Sequence, residues 1–146
     1  DVYDSSIASP ERFVPQIGTL NGNPVAAAAG LATLDIMSEP GIYDRYWSTG
    51  AKLRSTLQQM LNEAEIPATV SGIDLMFDVC FSECEVIDYR SALTTNRSKN
   101  TLFDETLMKH GILKSPGKIY VGVCHDDADV EKTLTAFRAG VDAVRD

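Results

Sequence analysis

The apolar residues of this chain follow two spacings, one typical of helices and one typical of strands. Helical spacing, together with capping and stop signals, predicts four helices. They cover residues 24–37, 42–64, 99–110 and 127–144. Strict alternation over residues 74–81 predicts a half-buried strand instead. Its apolar side is formed by four residues: Leu75, Phe77, Val79 and Phe81.

The remaining segments predict further short strands. Residues 68–70 form one, and residues 112–114 and 118–124 form two more on either side of a Ser-Pro-Gly turn. Residues 83–98 are ambiguous and favour a loop with a short strand or turn near Val86 and Ile87. Helices grouped on a small, mainly antiparallel sheet define an α+β fold.

The loop from Gly18 to Pro24 has the most distinctive chemistry in the chain. Asn23 is a preferred N-cap residue and Pro24 suits the first helical position, so a helix is predicted to begin there. A helix start offers N–H groups and partial positive charge to a phosphate. Thr19 adds a hydroxyl just upstream, so the loop reads as part of a phosphate site. A hairpin turn at Asn21 is the weaker alternative, because helical signals follow it.

Charge and cysteine content narrow the choice of function. A net charge of −8 over 146 residues argues against a nucleic-acid partner. The chain opens without Met or a signal peptide, which we interpret as the start of an excised or processed piece. Three cysteines favour a reducing compartment such as the cytoplasm. A zinc site could be drawn from Cys80, Cys84, Cys124 and His125, but buried, apolar cysteines at 80 and 124 are the favoured interpretation.

Three stretches resemble one enzyme family. They are the loop from Gly18 to Pro24 with its Ala-rich helix, the segment His110-Gly111-Ile112-Leu113 before Ser115-Pro116, and His125 before Asp126-Asp127-Ala128-Asp129-Val130. In order and spacing they resemble the C-terminal third of class-III, fold-type-I aminotransferases that use pyridoxal 5′-phosphate. The glutamate-1-semialdehyde 2,1-aminomutase branch is the most similar.

The resemblance implies a cofactor site shared between two subunits. Thr19 would bond the phosphate of the neighbouring subunit's pyridoxal phosphate, and Gly18 would allow close backbone approach. Residues 1–39 would be the end of the cofactor domain, and residues 40–146 a small C-terminal domain that flanks the substrate. The expected assembly is a homodimer that acts on small amino and carbonyl compounds.

The departures from the family pattern concern catalysis. No lysine precedes Thr19, although the family's cofactor is held by an upstream lysine as a Schiff base, and the upstream aspartate that pairs with the pyridine nitrogen is also missing. We therefore predict that this chain holds no catalytic residue and is inactive alone. The arginine with which many members bind a substrate carboxylate is missing as well, which favours the aminomutase branch. Lys114 and Lys118 are the only cations between Leu113 and Val130.

A rival interpretation comes from another class of protein. The same residues could form a non-catalytic α+β module that binds a small anion or mediates dimerisation. A lysine and an aspartate encoded upstream of Asp1 would favour the enzyme.

Overall fold

A computed structural model describes residues 18–145, which divide into two compact units at Pro40 and Gly41. The first unit holds helix α1, Pro24–Met37, with the bounds that the sequence predicts. Its side chains are exposed except for the half-buried Met37. An apolar helix with no buried face is typical of an element that a larger protein covers. The assignment of residues 1–39 to a cofactor domain stays a prediction.

The second unit combines helices with one small sheet, as expected for an α+β fold. Its strands are β1 (Ala68–Ile73), β2 (Met76–Phe81) and β3 (Ile119–Tyr120), in the order β1-β2-β3 with antiparallel pairing throughout. The helices are α2 (Ile42–Glu63), α3 (Tyr89–Ala92), α4 (Arg97–Lys109) and α5 (Asp127–Arg145). None of the helices within residues 18–145 is long and apolar enough to cross a lipid bilayer.

The core lies between one face of the sheet and the three long helices α2, α4 and α5. Phe77 and Ile119 are register partners on β2 and β3, and both are buried. Phe103 of α4 meets Phe81 edge-on and stacks with Phe137 of α5. Such burial of aromatic rings is a large favourable term in folding. It fixes the helices against the sheet.

Close approaches at two glycines make this packing possible. A Cβ on Gly50 of α2 would lie 2.2 Å from the carbonyl oxygen of Asp74, in the turn between β1 and β2. A Cβ on Gly140 of α5 would lie 2.7 Å from the ring of Phe103. Neither position has room for a side chain.

Several of the predicted strand segments were wrong. Residues 112–114 and 121–124 are not strands, and Ser115 and Lys118 form only an isolated bridge. The backbone after β3 bonds to other elements instead: Val121 accepts from the hydroxyl of Tyr46 at 2.9 Å. The prediction of a short strand or turn near Val86 and Ile87 missed the short helix α3 that follows them. Strand β2 begins at Met76 because Asp74 and Leu75 form the turn.

The start of α5 is capped by two reciprocal side-chain bonds. Asp126 accepts from the Asp129 N–H at 2.9 Å, and Asp129 accepts in return from the Asp126 N–H at 3.2 Å. His125 belongs to the preceding turn, where its Nδ1 accepts from the N–H of Gly122 at 3.1 Å. This bond leaves the proton of the neutral ring on Nε2. His125 is thus a structural residue of the turn that precedes α5.

Candidate phosphate-binding loop

The segment before α1 consists of two consecutive β-turns. The N–H of Asn21 donates to the carbonyl of Gly18 at 3.1 Å, and the N–H of Asn23 donates to the carbonyl of Leu20 at 3.0 Å. Gly22 has a φ of +75°, which the third position of the second turn requires and which glycine adopts without strain. Thr19 and Leu20 are the two central residues of the first turn. Both are exposed.

The start of α1 does not offer the open amides that the sequence suggested. The side chain of Asn23 accepts from the N–H groups of Val25 at 3.0 Å and Ala26 at 3.2 Å. Pro24 has no N–H, and that of Ala27 donates to the carbonyl of Asn23 at 2.9 Å. Asn23 therefore satisfies the helix start internally, because an Asn cap competes for the same donors as an external anion.

The donors that remain for an anion lie one turn upstream. Within residues 18–145, no hydrogen bond engages the Thr19 hydroxyl or the N–H groups of Thr19, Leu20 and Gly22. A hydroxyl and neighbouring turn amides are suitable donors for phosphate oxygens. The residues therefore fit a phosphate ester. The donors belong to the first turn, however, and not to the start of α1 as the sequence suggested.

Gly18 and Asn21 contact each other through side chain as well as backbone. A Cβ built on Gly18 would lie 2.6 Å from Oδ1 and 2.9 Å from Cγ of Asn21, so the carboxamide covers the Gly18 Cα. The Asn21 carboxamide fills the space that a side chain on Gly18 would occupy. Sequence reasoning noticed Gly18 and missed this use of Asn21.

Lys114 is not available to replace the missing arginine. Its ammonium lies 3.0 Å from Oδ1 of Asp78 on β2 and 3.0 Å from Oδ1 of Asp104 on α4, and only 4% of the side chain is exposed. Burial raises the pKa of the Asp78 carboxyl, and the charge and hydrogen bond of Lys114 oppose that rise. Lys118, by contrast, is exposed to solvent.

Other lysines of the second unit serve the fold. Lys99 donates from Nζ to the carbonyl of Val144 at 2.5 Å, near the end of α5. Lys52 pairs with Glu131 at 3.1 Å on the surface. A cation at a helix C-terminus and a surface ion pair are ordinary stabilising contacts.

The cysteines are unpaired thiols in different settings. Cys80 is half-buried, and burial raises the pKa of its thiol, with the nearby Asp78 charge adding to the effect. Cys124 is exposed and lies outside the strands, so its prediction as a buried, apolar strand residue was wrong. Among residues 18–145, no three His, Cys, Asp or Glu side chains come together in a way that could hold a metal ion.

Curated relatives match nearly the whole chain. Glutamate-1-semialdehyde 2,1-aminomutase of Thermus thermophilus is 40% identical over 134 residues, which are 89% of this chain and 32% of that protein. The enzyme of the same name from Methanopyrus kandleri is 34% identical over 96% of this chain and 33% of its own length. The chain therefore spans about a third of the length of these relatives. No family model matches the sequence.

Solved structures share the fold. An omega-transaminase from Sphaerobacter thermophilus superposes with a TM-score of 0.77 and 27% identity, over 97% of this chain and 33% of the other. A β-phenylalanine aminotransferase from Variovorax paradoxus has a TM-score of 0.76 over 94% of this chain and 31% of its own, at 21% identity. The latter likeness shows the fold alone.

The fold is that of the C-terminal third of pyridoxal-phosphate aminotransferases. The sequence relatives of this chain are glutamate-1-semialdehyde 2,1-aminomutases, and its structural neighbours are transaminases. This confirms the resemblance seen in the sequence.

Proposed function

We propose that this chain is the C-terminal part of a pyridoxal-phosphate-dependent aminotransferase or aminomutase, and that Gly18 and Thr19 bind the cofactor phosphate. The observation that supports the binding site most directly is the first turn of the loop, where the Thr19 hydroxyl and nearby amides have no other partner within residues 18–145. In the complete enzyme the cofactor supplies an electron sink for moving an amino group between an amino and a carbonyl compound.

The part of this chain in that reaction is binding and orientation. The Thr19 hydroxyl and the turn amides would hold the phosphate by hydrogen bonds, which are strongest toward a charged acceptor. Residues 40–146 would form a wall of the substrate pocket. The chain would add no catalytic group, because the lysine and aspartate that the family uses belong upstream of Thr19.

The assembly that we propose is a cytoplasmic homodimer in which the loop reaches the cofactor of the neighbouring subunit. Unpaired cysteines support a reducing compartment. An exposed apolar α1 supports coverage by further protein, since a helix apolar on all sides is normally buried. A non-catalytic anion-binding or dimerisation module is the alternative function, and the aminomutase relatives favour the enzyme over it.

The test is Thr19→Val in the complete protein that contains this chain. Valine keeps the shape of threonine and removes the hydroxyl. Loss of a hydrogen bond to a charged phosphate predicts a 10- to 100-fold weaker affinity, since such bonds contribute about 1.5–3 kcal/mol. Equilibrium dialysis against pyridoxal phosphate measures it. Thr33→Val on α1, whose hydroxyl only bonds the carbonyl of Ala29 at 2.8 Å, is the matched control. Wild-type affinity in Thr19→Val would contradict the proposal.

A further inference from the structure

We infer that Asn21 is a positioning residue of the phosphate site: its carboxamide, seated on the Cα of Gly18, holds the turn that presents Thr19. The inference rests on the function proposed above and assigns a further residue to the same site. It is carried by the contact between Asn21 and Gly18.

Asn21 closes the first turn in two ways. Its backbone N–H donates to the carbonyl of Gly18 at 3.1 Å. Its side chain lies over the same residue, with Oδ1, Cγ and Nδ2 2.6, 2.9 and 3.0 Å from where a Cβ on Gly18 would be. Thr19 and Leu20 thus lie in the turn between Gly18 and Asn21, which contact each other through both the backbone and the Asn21 side chain. Fixing their conformation before the ligand arrives reduces the entropy that binding must otherwise remove.

The contact with Asn21 requires that residue 18 have no side chain. An alanine methyl group would occupy the space of the Asn21 carboxamide, which would have to swing away because it is the end of a flexible side chain. Gly18→Ala and Asn21→Ala should therefore remove the same contact. Two variants that remove one contact have effects that do not add.

The experiment compares pyridoxal phosphate with pyridoxal, which lacks the phosphate, as ligands of the complete protein. The ratio of the two affinities isolates the phosphate contacts, and a merely structural defect would weaken both ligands and leave the ratio unchanged. We expect Asn21→Ala and Gly18→Ala each to lower the ratio about three- to tenfold, and the double variant to lower it no further. Gln59→Ala, which removes an exposed carboxamide on α2 that bonds Glu63 of the same helix, is the control.

The outcomes separate the two proposals. A wild-type ratio in Asn21→Ala overturns the positioning role, as does a double variant whose loss equals the product of the single losses. An unchanged ratio in Thr19→Val overturns the phosphate site itself. The midpoint of urea denaturation, which should stay at the wild-type value in all variants of this exposed loop, identifies any that misfolds.

Discussion

The side-chain oxygen of Gln58 on α2 accepts a hydrogen bond from the buried N–H of Val70 on β1, at 2.8 Å. The Nε2 group of the same side chain donates to the carbonyl of Ala68 at 3.2 Å. One turn earlier on α2, Arg54 donates to the carbonyl of Gly72 at 3.2 Å. These helix side chains occupy the outer edge of the sheet, where another strand would otherwise pair. Covering an edge in this way protects a small sheet from association with other chains.

Replacing Gln58 by Ala should destabilise the fold. The N–H of Val70 would lose its partner, and an unsatisfied buried donor costs about 1–3 kcal/mol. Urea denaturation of the chain, followed by far-UV circular dichroism, measures the change. Gln59→Ala is the control, because Gln59 is exposed and bonds only Glu63 of its own helix. Equal stability of the two variants would show that the edge bonds contribute nothing.

Replacing Lys114 by Met should be more costly than replacing an exposed lysine. Methionine would leave Asp78 and Asp104 facing each other without the buried cation that joins them. Removing one partner of a buried ion pair costs about 3–5 kcal/mol, and we expect the lower end because Asp104 is 31% exposed. Lys118→Met, at an exposed position of the same segment, should stay within about 0.5 kcal/mol of wild type in the same urea assay. If Lys114→Met lost no more unfolding free energy than Lys118→Met, the two carboxylates would not depend on Lys114 in the folded state.

The Asp78 carboxyl should make the stability of the chain fall as pH rises through a window above 3.8. Burial raises its pKa in the folded state above the 3.8 of an exposed aspartate, although Lys114 opposes the rise. Inside that window the folded state holds more protons than the unfolded state, so a rise in pH disfavours folding. The neighbouring charged or titratable groups are Lys114, Asp104 and Cys80.

The measurement is the difference in unfolding free energy between Asp78→Asn and wild type, at intervals from about pH 4 to pH 7. Asparagine does not titrate, and the other ionisable groups are present in both proteins. The difference should therefore move in favour of the variant as pH rises and become constant above the folded pKa. A difference that moves in favour of wild type would show that the pairing with Lys114 outweighs burial.

The four longer helices were predicted well because their signals are local. Asn23 and Pro24 mark the start of α1, and the predicted and observed bounds of α1 agree. The strands near residues 112–124 were predicted wrongly because their backbone partners lie far away in sequence, such as Tyr46 for Val121. At the candidate site, Thr19 and Gly18 were predicted from the motif. The Asn21 carboxamide over Gly18 was not, since no sequence spacing specifies which way an exposed side chain folds back.

The sequence by itself determined the α+β composition, the limits of the four longer helices to within two residues and the resemblance to known enzymes, because caps, periodicity and a specific loop motif act over a few residues. Tertiary structure alone decided that Lys114 is buried between two carboxylates and that α2 covers the edge of β1. Each of these outcomes depends on which polar groups compete for the same donor or acceptor in space. That competition is settled only when the elements pack.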